Sequence, residues 1–341
     1  MGETDKVDVV TGGAGFIGSH LVDRLLAAGR RVRVVDDLSV GRRSNLSQHT
    51  GNPSLEIMEG DVADRSIVQE ACEGAARVFH LAARADIVPS ITDPTAYFRS
   101  NVDGTFSALE AARANNVERF IYVASSSCYG IPSVYPTPED APIDCRYPYA
   151  LTKHLGEQLV LHWDRVYGMK TVVLRLFNVY GPRARTSGTY GAVFGVFLAQ
   201  LLAGEPLTIV GDGEQTRDFT YVADVVDALE RAAVSDQRGV VYNVGSGAPA
   251  SVNDIVRLLG AAEVVHLPKR PGEPDSTWAD ISKIRADLDW APSTPIEVGV
   301  ARLLEHRDHW RDAPVWTAEK IQQATADWFR YLGNDWQEGN R

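Results

Sequence analysis

A doubly wound parallel α/β sheet carrying a smaller α/β lobe is the fold this sequence predicts, on three observations. Short apolar strands alternate with helical segments from residue 7 to residue 177. That rhythm means parallel strands joined by right-handed crossovers, with helices on both faces of the sheet. A glycine-rich turn, TGGAGFIG, joins the first strand to the first helix. After Phe177 the rhythm loosens, and a single apolar strand, VVYNV at 240–244, returns to it.

In chain order, VDVVT (7–11) is the first strand, and Leu21, Leu25 and Leu26 line one side of a helix that stops near Gly29. VRVVD (32–36) is the second strand. Strand 55–58, helix 64–72, strand 77–82 and a long helix from about 94 to 114 follow. RFIYVAS (119–125) then leads to a helix over 148–167, opened by Pro148, whose fixed φ suits a first turn. TVVLRLF (171–177) closes the regular part. Helix 190–203 and a Pro-rich loop, HLPKRPGEPDSTWAD (266–280), belong to the looser part. Near the C-terminus Ile321, Ala324, Trp328 and Leu332 form one helical stripe, expected to pack on the smaller lobe.

The totals bound the function. The chain has 341 residues, 44% hydrophobic and 23% charged, an ordinary globular composition. Its formal net charge of −11 argues against nucleic acid or an anionic membrane surface as a general partner. No apolar run approaches the roughly 20 residues that span a bilayer. The N-terminus enters a strand at once, which leaves no room for a signal peptide. Gly2 is followed by Lys6, where a myristoylation motif wants Ser or Thr. Cys72, Cys128 and Cys145 make neither a disulfide framework nor a paired metal spacing, so a reducing cytoplasm and no metal site are expected.

The first chemical signal is Gly12-x-x-Gly15-x-x-Gly18 between strand and helix. Glycines there permit a tight turn, close approach of the backbone to a pyrophosphate, and close packing of helix on strand. The helix N-terminus adds N–H groups and a partial positive charge. Asp36 ends the second strand, where a carboxylate accepts bonds from the adenosine ribose hydroxyls. The same carboxylate would repel a 2′-phosphate, which favours NAD over NADP; Arg33, Arg42 and Arg43 nearby weaken that preference. Asp61, in EGDV, is placed either to reach the adenine or simply to cap a strand end.

The second signal combines Ser125, Tyr149 and Lys153. Tyr149 and Lys153 lie four apart, on one face of their helix. An ammonium beside a phenol favours the phenolate, bringing a group of reference pKa about 10 toward the working pH. A phenolate next to a nicotinamide can take the proton of a substrate hydroxyl while hydride leaves the same carbon. Ser125, at the C-terminal end of its strand, lies where open sheets bind ligands, and its hydroxyl can hold the same oxygen.

TGGAGFIG, HLAA, SSSCYG, YALTK and FNVYGPR, with GDGEQTRDFTYVAD and RPGEPDSTWADISK further on, resemble the extended short-chain dehydrogenase/reductase family, specifically its nucleotide-sugar epimerases and dehydratases. The resemblance covers nearly the whole chain. It implies a Rossmann domain over 1–178 with about 218–246, and a nucleotide-sugar-binding lobe over 179–217 and 247–341. It also implies tightly held NAD, a UDP-sugar substrate, and a homodimer through helices near 94–114 and 148–167. The cofactor contacts it implies are Gly12, Gly15, Phe16, Ile17, Gly18, Asp36, Asp61, Val62, Leu81, Ala82, Ala83 and Arg84, with Tyr149 and Lys153. Ser126, Ser127, Asn178, Arg217, Arg270, Glu273 and Thr277 are the substrate contacts, Arg217 and Arg270 gripping the pyrophosphate.

The resemblance also narrows the reaction. Family dehydratases carry Asp and Glu directly after the catalytic Ser or Thr, and the resembling decarboxylases carry Glu at the second position; here both positions are serine. Without a further acid–base pair, elimination is poorly supported, while reversible oxidation at C4 needs only Ser125, Tyr149, Lys153 and NAD. The expected activity is therefore inversion of C4 of a UDP-hexose. Where the family excludes an N-acetyl arm with a bulky Tyr, this chain has Thr277, so both UDP-Glc/Gal and UDP-GlcNAc/GalNAc are expected to enter. A UDP-glucuronate 4-epimerase would aim an arginine at the carboxylate, and only Arg183 and Arg185 offer themselves. A dehydratase, a net reductase and a non-catalytic NAD-binding regulator complete the alternatives. Cys128 and His80 read as packed side chains rather than reactive ones.

Overall fold

A computed structural model describes residues 6–184 and 193–333. Gly2, Arg185 and the first residues of the helix expected over 190–203 lie outside them. Among the described residues no helix is long and apolar enough to cross a membrane.

Six strands build most of the central sheet: β1 (Val7–Thr11), β2 (Arg31–Asp36), β3 (Leu55–Glu59), β4 (Ala75–His80), β5 (Arg119–Ser125) and β6 (Thr171–Leu176). Val240–Val244 is the seventh. The order across the sheet is Val240–Val244, β6, β5, β4, β1, β2, β3, and each pairing is parallel. The β-rich runs of Val and Ile have both faces covered, as parallel sheets require. Side chains alternate across a strand, so Val10, Val34, Ile121 and Val172 enter one core with Leu21, Leu25, Leu229 and Trp290. Val9, Val35, Tyr122 and Val173 enter the opposite core with Leu109, Val160 and Trp163. Each such fully buried side chain contributes about 1.5–3 kcal/mol. A third core joins Tyr180, Phe197, Ile209, Phe219, Ile255 and Trp310.

Three elements depart from expectation. β4 ends at His80, two residues early, and Leu81–Arg84 becomes a loop. The long helix is interrupted: Pro94–Phe98 and Gly104–Ala114 are separated by a wide turn over Arg99–Asp103. The interruption frees Asn101, whose Oδ1 accepts from Arg84 N (2.8 Å) and whose Nδ2 donates to Arg84 O (3.0 Å) and Thr152 Oγ1 (3.0 Å). The C-terminal stripe is two helices, Ala318–Ala324 and Ala326–Leu332, broken at Thr325, whose hydroxyl donates to Ile321 O. The second helix packs against Ile87–Thr92 as well as against the loop at Arg270 and Pro271.

Candidate functional site

The chain runs from β1 outward to β2 and β3, then crosses to β4 on the other side of β1. The turns after β1 and β4 therefore diverge at the point where strand order reverses, the place open α/β sheets bind ligands. A cleft of about 390 Å³ opens there. All twelve residues from Gly12 to Arg84 named above as cofactor contacts line it, Gly12, Gly15, Phe16, Ile17 and Gly18 from one side, Leu81 to Arg84 from the other. Gly12 has φ +70°, and a Cβ there would lie 2.8 Å from Ala82 N; a Cβ on Gly18 would lie 2.1 Å from Gly12 O. The helix Phe16–Ala27 begins in the cleft with no side-chain cap, leaving its N–H end for an anion.

Asp36 closes the far end of the cleft. Its Oδ2 accepts from Ala14 N and its Oδ1 from Leu38 N, both at 2.9 Å. Burial lifts its carboxyl above the usual range against these bonds. Each oxygen keeps a lone pair for a ribose hydroxyl. Arg33 is committed to Glu56 and to the carbonyls of Ala71 and Glu73, and Arg43 to Glu59. Two of the three arginines that weakened the preference for NAD thus point elsewhere. Asp61 bonds Ala63 N and pairs with Arg99 while lining the cleft. Glycine turn, helix end and ribose carboxylate together fit NAD.

Val123 lines the same cleft, and two residues on, at the end of β5, stands Ser125. Its Oγ accepts from Ser127 N at 3.2 Å, and its side chain neighbours the Tyr149 phenol, which it lowers against burial. Ser126 opens the short turn that follows. Lys153 is 4% exposed, with Nζ 4.4 Å from the Tyr122 ring centroid. Burial raises the Tyr149 phenol against the neighbouring Ser125 hydroxyl, and burial lowers Lys153, to about 7.

The remaining polar contacts cluster beside this pair. Asn178, two residues past β6, accepts from Thr277 Oγ1 at 2.9 Å, and that hydroxyl accepts from Asp218 N at 3.1 Å. Arg217 Nη2 donates to Glu273 Oε1 at 2.9 Å, and Arg270 Nη1 lies 3.7 Å from Glu273 Oε2. The two guanidinium groups share one carboxylate and leave one net positive charge. Arg183 is ion-paired with Asp23 at 2.7 Å.

Cys128 and His80 are packed. Burial pushes the Cys128 thiol up to about 12. His80 sits between Thr11 Oγ1 (2.7 Å) and Thr105 Oγ1 (3.0 Å), and burial, then Lys153, hold its ring down to about 3. Among the described residues no cluster of His, Cys, Asp or Glu is placed to hold a metal ion.

Sequence reasoning missed Asn101, Tyr122 and the residues Ala313, Pro314 and Trp316, which line the cofactor cleft from the C-terminal segment. Asn101 had no signal, because its role needs an irregular turn inside a helical pattern. Trp316 begins the stretch that was read only as packing.

Comparison with known proteins covers the same ground. Residues 9–245 match the model of the NAD dependent epimerase/dehydratase family. The chain is 38% identical over 304 residues to the UDP-glucose 4-epimerase of Mycolicibacterium smegmatis, covering 87% of this chain and 97% of that protein. It superposes with TM-score 0.84 and 34% identity on the UDP-N-acetylglucosamine 4-epimerase of Methanobrevibacter ruminantium M1 in complex with UDP-N-acetylmuramic acid, covering 88% and 97% of the two chains. The UDP-glucuronic acid 4-epimerase of Bacillus cereus, in complex with UDP-glucuronic acid and NAD, gives TM-score 0.81 and 32% identity over 89% and 99%. A likeness that runs through both the cleft and the strand-end serine leaves one conclusion: the chain belongs to the NAD-dependent epimerase/dehydratase family.

Proposed function

We propose that this chain inverts C4 of a UDP-hexose by transient oxidation to a 4-keto sugar. The observation that carries the reading is the Ser125–Tyr149 contact at the C-terminal edge of the sheet, beside the dinucleotide cleft. Ser126 and Ser127 stand where elimination would need carboxyl groups. Bound NAD supplies the nicotinamide that accepts and returns hydride. Ser125 holds the C4 oxygen, and Tyr149 takes its proton and gives it back on either face. Residues 1–178 with about 218–246 serve as the NAD-binding domain, and 179–217 with 247–341 as the nucleotide-sugar lobe. There Arg217 and Arg270 hold the diphosphate, Glu273 the uridine ribose, and Asn178, Ser126, Ser127 and Thr277 the sugar side.

Thr277 supports a pocket wide enough for an N-acetyl arm. NMR on a panel of UDP-sugars is expected to show C4 epimers from both UDP-glucose and UDP-N-acetylglucosamine, with no growth of bulk 340-nm absorbance, the region where reduced nicotinamide absorbs (about 340 nm). Turnover of UDP-glucose alone would reject the wide pocket; absorbance growing with product would reject epimerisation. A hexuronate reading is less favoured because Arg183 is held by Asp23.

The Tyr149–Lys153 pair sets the pH dependence. Lys153 yields its proton near 7, and an ammonium one turn from the phenol favours the phenolate, so the pair loses its first proton as a unit. Its titratable neighbours are Glu157, which raises Lys153, and His80, which is neutral here. The expected pH profile of kcat/KM rises through a limb near 7. In Lys153→Met that limb should move toward the value of an unassisted phenol, about 10. A wild-type limb already at that higher value would contradict the coupling.

A homodimer is supported by Phe98, Leu151, Val166 and Tyr167, apolar side chains between 47% and 53% exposed on the helices concerned. Sedimentation is expected to give twice the chain mass of 37.3 kDa. Three free thiols suit the cytoplasm.

A further inference from the structure

Trp328 touches both ends of the proposed substrate path. Its indole is 3% exposed and lies 6.2 Å, centroid to centroid, from the Tyr147 ring. Tyr147 in turn stacks on Tyr149 at 6.4 Å, with only 7° between the planes. On the other side Arg270 Cζ lies 5.5 Å from the Trp328 ring centroid. The indole Nε1 donates to Pro271 O at 2.8 Å. Backbone and guanidinium of one loop are thus both tied to this side chain, while its ring rests on the residue that precedes the catalytic helix.

A guanidinium on a long side chain samples many rotamers, and stacking on an aromatic face fixes its plane while leaving its N–H edge for an anion. We propose that Trp328 is a positioning residue for the substrate. It holds Arg270 and the Pro271 backbone beside the start of the catalytic helix, so that the guanidinium is already oriented for a diphosphate. This rests on the reading of Arg270 as a diphosphate ligand. A helix that merely packed would affect stability and leave ligand selectivity alone.

The test compares variants of the full holoenzyme. Trp328→Leu should raise the KM for UDP-glucose and the Kd for UDP, measured by calorimetry, about tenfold, with kcat changed by less than about threefold. Uridine, which lacks the phosphates, should bind wild type and variant equally. Trp328→Phe keeps an aromatic face and should recover most of the UDP affinity, and it carries the test if the leucine variant misfolds. In an Arg270→Met background, Trp328→Leu should add less than about a twofold loss, because the two act through one contact. Unchanged UDP affinity in Trp328→Leu, or an equal loss for uridine, overturns the inference. Unchanged UDP affinity in Arg270→Met alone overturns the diphosphate reading, and this inference with it.

Discussion

Tyr149→Phe should lower turnover about 10²–10⁴-fold, the usual span of a lost general acid–base, while bound NAD and thermal stability stay at wild-type values. The substitution removes a single oxygen. The ring keeps its stacking on Tyr147 and its edge contact with Tyr97 at 6.5 Å, so the helix start should not shift. None of the residues lining the cofactor cleft is altered. What disappears is the phenolic oxygen beside Ser125, on the proposed reading the group that moves the C4 proton. Steady-state kinetics, with NAD content read after denaturation, checks this; a variant with full activity would remove the phenol from the chemistry.

Glu157→Leu should destabilise the fold by about 3–5 kcal/mol, because it strands a buried guanidinium. Glu157 is 1% exposed and accepts from Arg175 Nε at 2.9 Å and Nη2 at 2.6 Å. Burial pushes the Glu157 carboxyl up, but Arg175 and His154 outweigh it and hold the carboxyl below its usual range. Arg175 also donates to Tyr129 Oη at 2.7 Å and to Glu139 O at 2.9 Å. The ion pair therefore pins the helix Pro148–Tyr167 to β6 and to the loop after β5. Urea unfolding measures the loss; a change below about 1 kcal/mol, the scale of a surface pair, would show that the pair is not the fastening it looks like.

The sheet was legible because its signals are local. Runs such as VDVVT and TVVLRL cannot be amphipathic surface helices at that length, and the intervening leucine spacing fits nothing else. The glycine turn and Asp36 were legible for the same reason: a tight turn and a strand-end carboxylate leave marks at fixed offsets. Ser125, Tyr149 and Lys153 could be named, yet their electrostatics could not, because spacing along a helix does not reveal that Lys153 faces Tyr122. The wide turn at Arg99–Asp103 and the break at Thr325 were not legible. Asn101–Arg84 across the first and Trp328–Pro271 beyond the second are long-range bonds that a periodic pattern does not record.

If C4 is oxidised and then reduced inside a closed site, the hydrogen that leaves that carbon must be the one that returns. UDP-glucose deuterated at C4 and brought to equilibrium in ordinary water tests this by NMR of both epimers. Full retention of deuterium at C4 is the predicted result. Solvent hydrogen appearing at C4 would contradict the account.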